Sequence, residues 1–308
     1  MRSLALVLLA GCYTATTPAP AAIVLGEPHH ERGFVFVSGR EAQDHWSATQ
    51  IFLAQPSANH PTNLTNNARW NASPALSPDG TRMAFISDRS LRVMRLEDGD
   101  EHTLDVGDGP FGCVRWAGHQ LAFVAPANTR GSAVWVVSEH GGEPSQVTEP
   151  GQASDELIAF VDHGRRLVFD RYDPATADRD LWITDLDGSH LRRLTSTTDI
   201  AETLPVASHD GRFLAYRAFR SNHDGIRVMA LADGEVVHDF ALPDGLVNIS
   251  GIDFAADDQA LLFGADDLDV GGSLENVKGE LFRTNLDGGD LVRLTKNAAY
   301  DGQPVVIP

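Results

Sequence analysis

One unit, an Asp/Gly turn followed by a strand that closes on an aromatic, recurs along this chain and restricts its fold more than any other feature. The clearest copy is Ser77-Pro78-Asp79-Gly80 followed by TRMAFISDR. Its cousins are VDHGRRLVF ending at Phe169, SHDGRFLAY at Tyr216, AADDQALLF at Phe263 and the shorter WAGHQLAF at Phe123. From Phe123 through Phe169 and Tyr216 to Phe263 the steps are 46, 47 and 47 residues. A turn rich in Asp and Gly between alternating apolar runs predicts a hairpin. A third strand follows each aromatic and ends in an acidic Gly turn, as in LRVMRLEDG from Leu91 and LWITDLDGS from Leu181. A fourth, short strand then ends in Leu-Thr or Val-Thr: Leu64-Thr65, Val147-Thr148, Leu194-Thr195 and Leu294-Thr295. Four short antiparallel strands in roughly 40–50 residues are the arithmetic of a propeller blade.

The two ends of the repeat give the blade number. Gly33 to Ser38 (GFVFVS) reads as a second strand with no first strand before it, and Asp301 to Pro308 (DGQPVVIP) as a first strand with none after it. Pairing them closes the ring and leaves no free sheet edge at the seam, where an open edge would template aggregation. Five complete blades and this shared one make six. The expected fold is therefore all-β: a six-bladed propeller, four antiparallel strands per blade, closed by the C-terminal strand joining the N-terminal blade.

SPDG before an aromatic-terminated strand, then a D-L-D-G-like turn and Leu-Thr, resembles the PD40 (WD40-like) repeat of TolB-like six-bladed propellers. The resemblance spans the chain from the first blade to Pro308, with its best copies at Ala75 to Arg89 and Leu181 to Thr195. It implies the fold and not the activity, because one fold hosts many functions. Only a tether is expected before the first blade, so the resemblance is to a TolB-like propeller and not to TolB itself.

That tether follows a short apolar segment. Met1-Arg2 and the run Leu4 to Ala10 have the layout of a secretory signal. Leu9-Ala10-Gly11-Cys12 is similar, position for position, to the lipobox of bacterial lipoproteins, which implies cleavage before Cys12 and its lipidation; the alternative is an ordinary cleaved signal. The expected division is a signal peptide over 1–11, a Thr/Ala/Pro-rich tether over 12–31 and the propeller over 32–308. Tyr13 after the lipidated Cys points, by the same resemblance, to the outer membrane of the bacterial envelope. The other cysteine, Cys113, lies in the apolar stretch PFGCVRW and reads as a small buried hydrophobe.

Charge narrows the partners. The 308 residues carry a formal net charge of −19, which opposes binding to nucleic acid and to an anionic bilayer surface and favours cations or basic peptides. Fourteen residues before the blade aromatic, the repeat places a polar residue at the entry to the innermost strand: Asn71 before Phe85, Asp155 before Phe169 and Glu202 before Tyr216. Asp301 takes that place in the shared blade, with Asn248 and Asp108 beside it in blades six and three. Equivalent positions surround a propeller axis, so these six are expected to ring one channel mouth. Such a ring suits a Lys/Arg-bearing peptide or a calcium ion; otherwise these residues cap turns within their own blades.

Other chemistry is sparse. The longest insert, Gly264 to Glu280, holds Asp266, Asp267, Asp269 and Glu275 without the spacing of a calcium loop. There is no H-E-x-x-H, no paired Cys/His spacing, no G-x-S-x-G elbow and no P-loop, so neither a metal site nor catalytic residues are expected. The resulting expectation is a monomeric, non-enzymatic propeller that binds an envelope protein or peptide and meets the membrane only through its lipid. An enzyme or carbohydrate-binding protein acting on cell-envelope polymers is the alternative.

Overall fold

A computed structural model describes residues 33–40, 48–56, 58–107, 109–110, 112–127, 131–220, 223–268, 278–297 and 299–308. The signal segment and tether expected over 1–31, with Cys12, lie outside them. So do Asp108, Asp269 and Glu275.

Six four-stranded antiparallel sheets make up the fold. The innermost strands of blades two, three, four, five and six are Asn71–Leu76, Val114–Ala117, Ser154–Val161, Ala201–Ala207 and Leu246–Phe254. In blade one that place is taken by the C-terminal strand Asp301–Val306, paired antiparallel with Phe34–Ser38. Phe34 faces Val306 and Ser38 faces Asp301, and Ile307 donates its N–H to the Gly33 carbonyl at 3.0 Å. The expected closure is the observed one.

Six hydrophobic clusters fill the spaces between neighbouring blades, and each contains one repeat aromatic. Phe36, Phe85, Phe123, Phe169, Tyr216 and Phe263 are all fully buried. A blade is a sheet with both faces covered, so one large side chain per interface, repeated at constant spacing, keeps the wedge angle constant. Cys113 packs as expected, buried among Val124, Ile158 and Phe169 between blades three and four.

The short motifs between aromatics have local work. In the SPDG turn, the Asp79 carboxylate accepts from the Ser77 and Thr81 hydroxyls and the Thr81 N–H, and these bonds lower its pKa to about 2. Gly80 sits at φ +67°, where a Cβ would be strained. In the Leu-Thr motif, the Leu194 N–H donates to the Leu181 carbonyl at 2.7 Å, while the Thr195 hydroxyl accepts from the Leu181 N–H at 3.0 Å. Thr65 on Ile51, Thr148 on Val134 and Thr295 on Leu281 repeat this bond. A threonine thus satisfies the third strand's donor where the two-residue fourth strand stops.

Candidate functional site

All innermost strands run in one direction, so their first residues meet at one end of the axis and their last residues at the other. At the first end stand four of the residues singled out from the repeat. Asn71, Asp155, Glu202 and Asp301 occupy equivalent places in the ladder, each two residues past the aromatic on the neighbouring strand, opposite Ser87, Arg171, Ala218 and Ser38. All four are fully buried, and each is engaged within its own surroundings. Arg171 grips both Asp155 oxygens at 2.5 and 2.8 Å, Arg40 holds Asp301 at 2.6 Å and Arg227 reaches Glu202 at 3.1 Å. Asn71 donates to the Arg69 carbonyl and to the Asn67 side chain. Asn248 is exposed and donates its side-chain amide to Asp266 at 2.9 Å.

Burial therefore sets the electrostatics at this end. It pushes the Glu202 and Asp301 carboxyls above their usual range, opposed chiefly by Thr195 and Arg227 at Glu202 and by Arg40 at Asp301. The cations facing these acids are supplied by the chain itself. Arg171, two positions past Phe169, is the ladder partner of Asp155.

Midway along the axis, five innermost strands carry a β-bulge, between Ala72 and Ala75, Asp155 and Ile158, Thr203 and Val206, Val247 and Gly251, and Gly302 and Val305. Ser73, Leu204, Asn248 and Gln303 sit in these bulges at φ between 50° and 54°. A bulge re-aims side chains, and Ser73, Leu204 and Gln303 line a throat of about 50 Å³. Pro74, Pro205 and Pro304 follow three of these residues. Proline has no N–H to expose on the axial edge of a sheet, so it fits there and blunts that edge.

Beyond the throat, at the end where the strands finish, all six blades surround a funnel of about 480 Å³. Arg115 lines both throat and funnel and, among the described residues, has no ion-pair partner within 4 Å; its guanidinium donates to the Val114 carbonyl. Across the axis, Asp253 accepts from the Val306 and Phe254 N–H groups. Burial pushes its carboxyl up, against the opposing pull of those bonds and of His209 and Arg115. His209 shares a 2.8 Å bond with Asp258, which raises the pKa of the imidazole. Cationic, anionic and apolar groups thus converge on one open cavity, an arrangement suited to an extended chain segment.

Blade three, in the turn that follows the funnel-lining Gly118, holds a group that the sequence did not announce. His119, Glu139 and His140 bring one imidazole nitrogen each and a carboxylate oxygen within 4.8 Å of one another. His119 and Glu139 are 20 residues apart, outside any of the metal spacings sought in the sequence.

No known protein family matches the sequence, and neither does any curated protein. Solved structures do. TolB from Acinetobacter baumannii superposes with a TM-score of 0.75 at 16% identity, covering 91% of this chain and 68% of that one. The putative TolB from Agrobacterium tumefaciens gives 0.66 at 16% identity, covering 89% and 92%. The oligogalacturonate lyase from Vibrio parahaemolyticus gives 0.59 at 14% identity, covering 86% and 74%. At such identities the likeness concerns architecture, and the chain is a six-bladed β-propeller with the fold seen in those TolB structures.

Proposed function

We propose that this chain is a non-enzymatic binding propeller of the bacterial envelope, held at the membrane by a lipid on Cys12, that takes a segment of a partner protein into its axial funnel. One observation carries the reading: the six blades converge on an open cavity of about 480 Å³ with an arginine, Arg115, free of ion pairing among the described residues at its floor. A half-buried arginine without a carboxylate partner favours an anionic group, so an acidic side chain or a C-terminal carboxylate fits the inserted tip. The ring at the opposite end, Asn71, Asp155, Glu202 and Asp301, is then structural: its acids hold the blades' own arginines. The TolB-like fold supports an envelope role, and the lipobox-like Leu9-Ala10-Gly11-Cys12 supports the anchor, with Tyr13 favouring the outer membrane.

Affinity capture from envelope fractions tests both ends at once. R115E is expected to lose the captured partner, whereas E202Q, at the other end, is expected to keep it. Loss with E202Q and retention with R115E would move the binding face to the strand-entry ring. For the anchor, Cys12→Ala is expected to abolish incorporation of labelled palmitate; unchanged labelling would remove the lipoprotein reading.

An enzyme acting on envelope polymers is the second reading, favoured by the shared fold with the oligogalacturonate lyase and by the His119–Glu139–His140 group. Release of soluble sugar fragments from purified envelope polymers by the chain, lost in H119A, would select it over the binding role.

A further inference from the structure

The His119–Glu139–His140 group has no part in partner binding at the funnel, and its ligand chemistry can be read without assuming either role. His119 lies in the turn between Val114–Ala117 and Gln120–Pro126, and Glu139 directly follows Ser132–Ser138. The Glu139 N–H donates to the His119 carbonyl at 2.9 Å, which locks the two segments together. The turn at Ser138 to Gly141 is itself closed by a 2.9 Å backbone bond, so the backbone of all three residues is fixed. The side chains differ sharply in exposure: Glu139 is 1% exposed, His119 85% and His140 75%.

Glu139 is oriented from behind. Its Oε2 pairs with Arg82 of blade two at 2.8 Å, and that guanidinium lies 5.0 Å from the ring centroid of Trp116, on the funnel wall. Oε1 points to the imidazoles, 2.7 Å from His119 Nδ1 and 3.5 Å from His140 Nε2. A carboxylate fixed through its far oxygen and two imidazoles near its other oxygen offer three of the four donors a tetrahedral site needs. The edge of such a tetrahedron, at metal–ligand bonds of roughly 2.0–2.1 Å, is roughly 3.4 Å. The exposed imidazoles close the remaining gap by rotating about their own side-chain bonds.

We propose that His119, Glu139 and His140 form a binding site for one divalent d-block cation of the zinc, nickel or copper kind. Arg82 offsets the carboxylate charge, so the attraction rests on the two neutral imidazoles. That donor set selects borderline-soft cations over calcium and magnesium, which require oxygen ligands. The fourth position faces solvent, where both imidazoles are exposed.

The test is calorimetric titration of the full chain with Zn²⁺ at pH 7.5, together with the electron paramagnetic resonance spectrum of the Cu²⁺-loaded protein. Because His29 and His30 adjoin in the tether, both are done in an H29A/H30A background. One equivalent of metal is expected, with two nitrogen donors in the Cu²⁺ spectrum and an affinity that drops at least about tenfold in H119A and again in H140A. Both histidines are exposed, so these variants keep the fold, and a circular-dichroism melt verifies it. No binding in the H29A/H30A background, or binding of equal affinity in H119A/H140A, overturns the site. A preference for Ca²⁺ over Zn²⁺ does so as well.

Discussion

The side-chain carbonyl of Gln303 accepts the backbone N–H of Ser73 at 2.8 Å. Each residue sits at positive φ in its own bulge, one in the C-terminal strand and the other in the innermost strand of blade two. This bond crosses from the blade that closes the ring to the next blade, beside the throat that both residues line. Gln303→Ala leaves the Ser73 donor without that acceptor and is expected to cost about 1–2 kcal/mol in denaturant unfolding. Deleting 301–308 removes the whole innermost strand of blade one and is expected to abolish the cooperative transition. A truncated chain melting at the full-length midpoint would refute the closure's role.

The ion pairs at the strand-entry end set a second expectation. Replacing the acids of a repelling ring relieves repulsion, but here each acid neutralises a mostly buried arginine. Asp155→Asn is expected to destabilise by about 2–4 kcal/mol, because Arg171 is left nearly out of water without its counter-charge. The double variant D155N/R171M removes both charges and is expected to recover most of that loss. Equal stability of D155N and the wild type would show the pair to be solvated.

Glu280 offers a pH-dependent prediction with a built-in control. Its Oε2 accepts from the Thr295 hydroxyl at 2.6 Å and its Oε1 from the Asn297 N–H at 3.0 Å. In blade one, Gln50 takes the same two bonds from Thr65 and Asn67 with its single carbonyl oxygen. Burial raises the Glu280 carboxyl from 4.5 to about 7. The folded state therefore holds the proton more tightly than the unfolded chain, and stability falls as pH rises from 4.5 to about 7. Glu280→Gln is expected to raise stability at pH 8 by on the order of 1–2 kcal/mol and to change little at pH 4.5. Parallel melting curves across that range check it.

His209 is shifted in the same direction, by a bonded carboxylate rather than by burial. Its bond to Asp258, aided by Asp253 and Asp210, raises the imidazole above 6.5 against the effect of burial. The charged form stabilises the fold fully below 6.5, and that contribution is lost as pH rises through the raised value. His209→Gln is expected to lower the melting temperature most at pH 5.5 and least at pH 9. The N–H groups of His209 and Asp210 still bind Asp258 at every pH, so a pH-independent difference would mean that the imidazole carries no charge there.

What was legible in the sequence is what repeats within a blade. The aromatic at constant spacing, the Asp-Gly turn and the Leu-Thr pair each act on residues a few positions away or on the neighbouring strand. Their physics is local, and six blades restate it. The missing first strand before Phe34 and the surplus strand at Asp301 followed from the same periodicity. Asn71, Asp155, Glu202 and Asp301 were correctly aligned as equivalent, because alignment needs only the ladder.

Tertiary structure decided everything that depends on which side chain faces which. Arg227 meets Glu202 from 25 residues away and Arg40 meets Asp301 from 261, and an acid in a sequence looks the same with or without its arginine. The bulges at Ser73, Leu204 and Gln303 open no gap in the apolar pattern, yet they shape the throat. His119 and Glu139 belong to different turns of one blade and Arg82 to the next, so their approach is written in no spacing. The open funnel lies where the strands end, since the buried ion pairs occupy the end where they begin. Propeller closure sets these distances, because it brings to one axis residues that no local interaction connects.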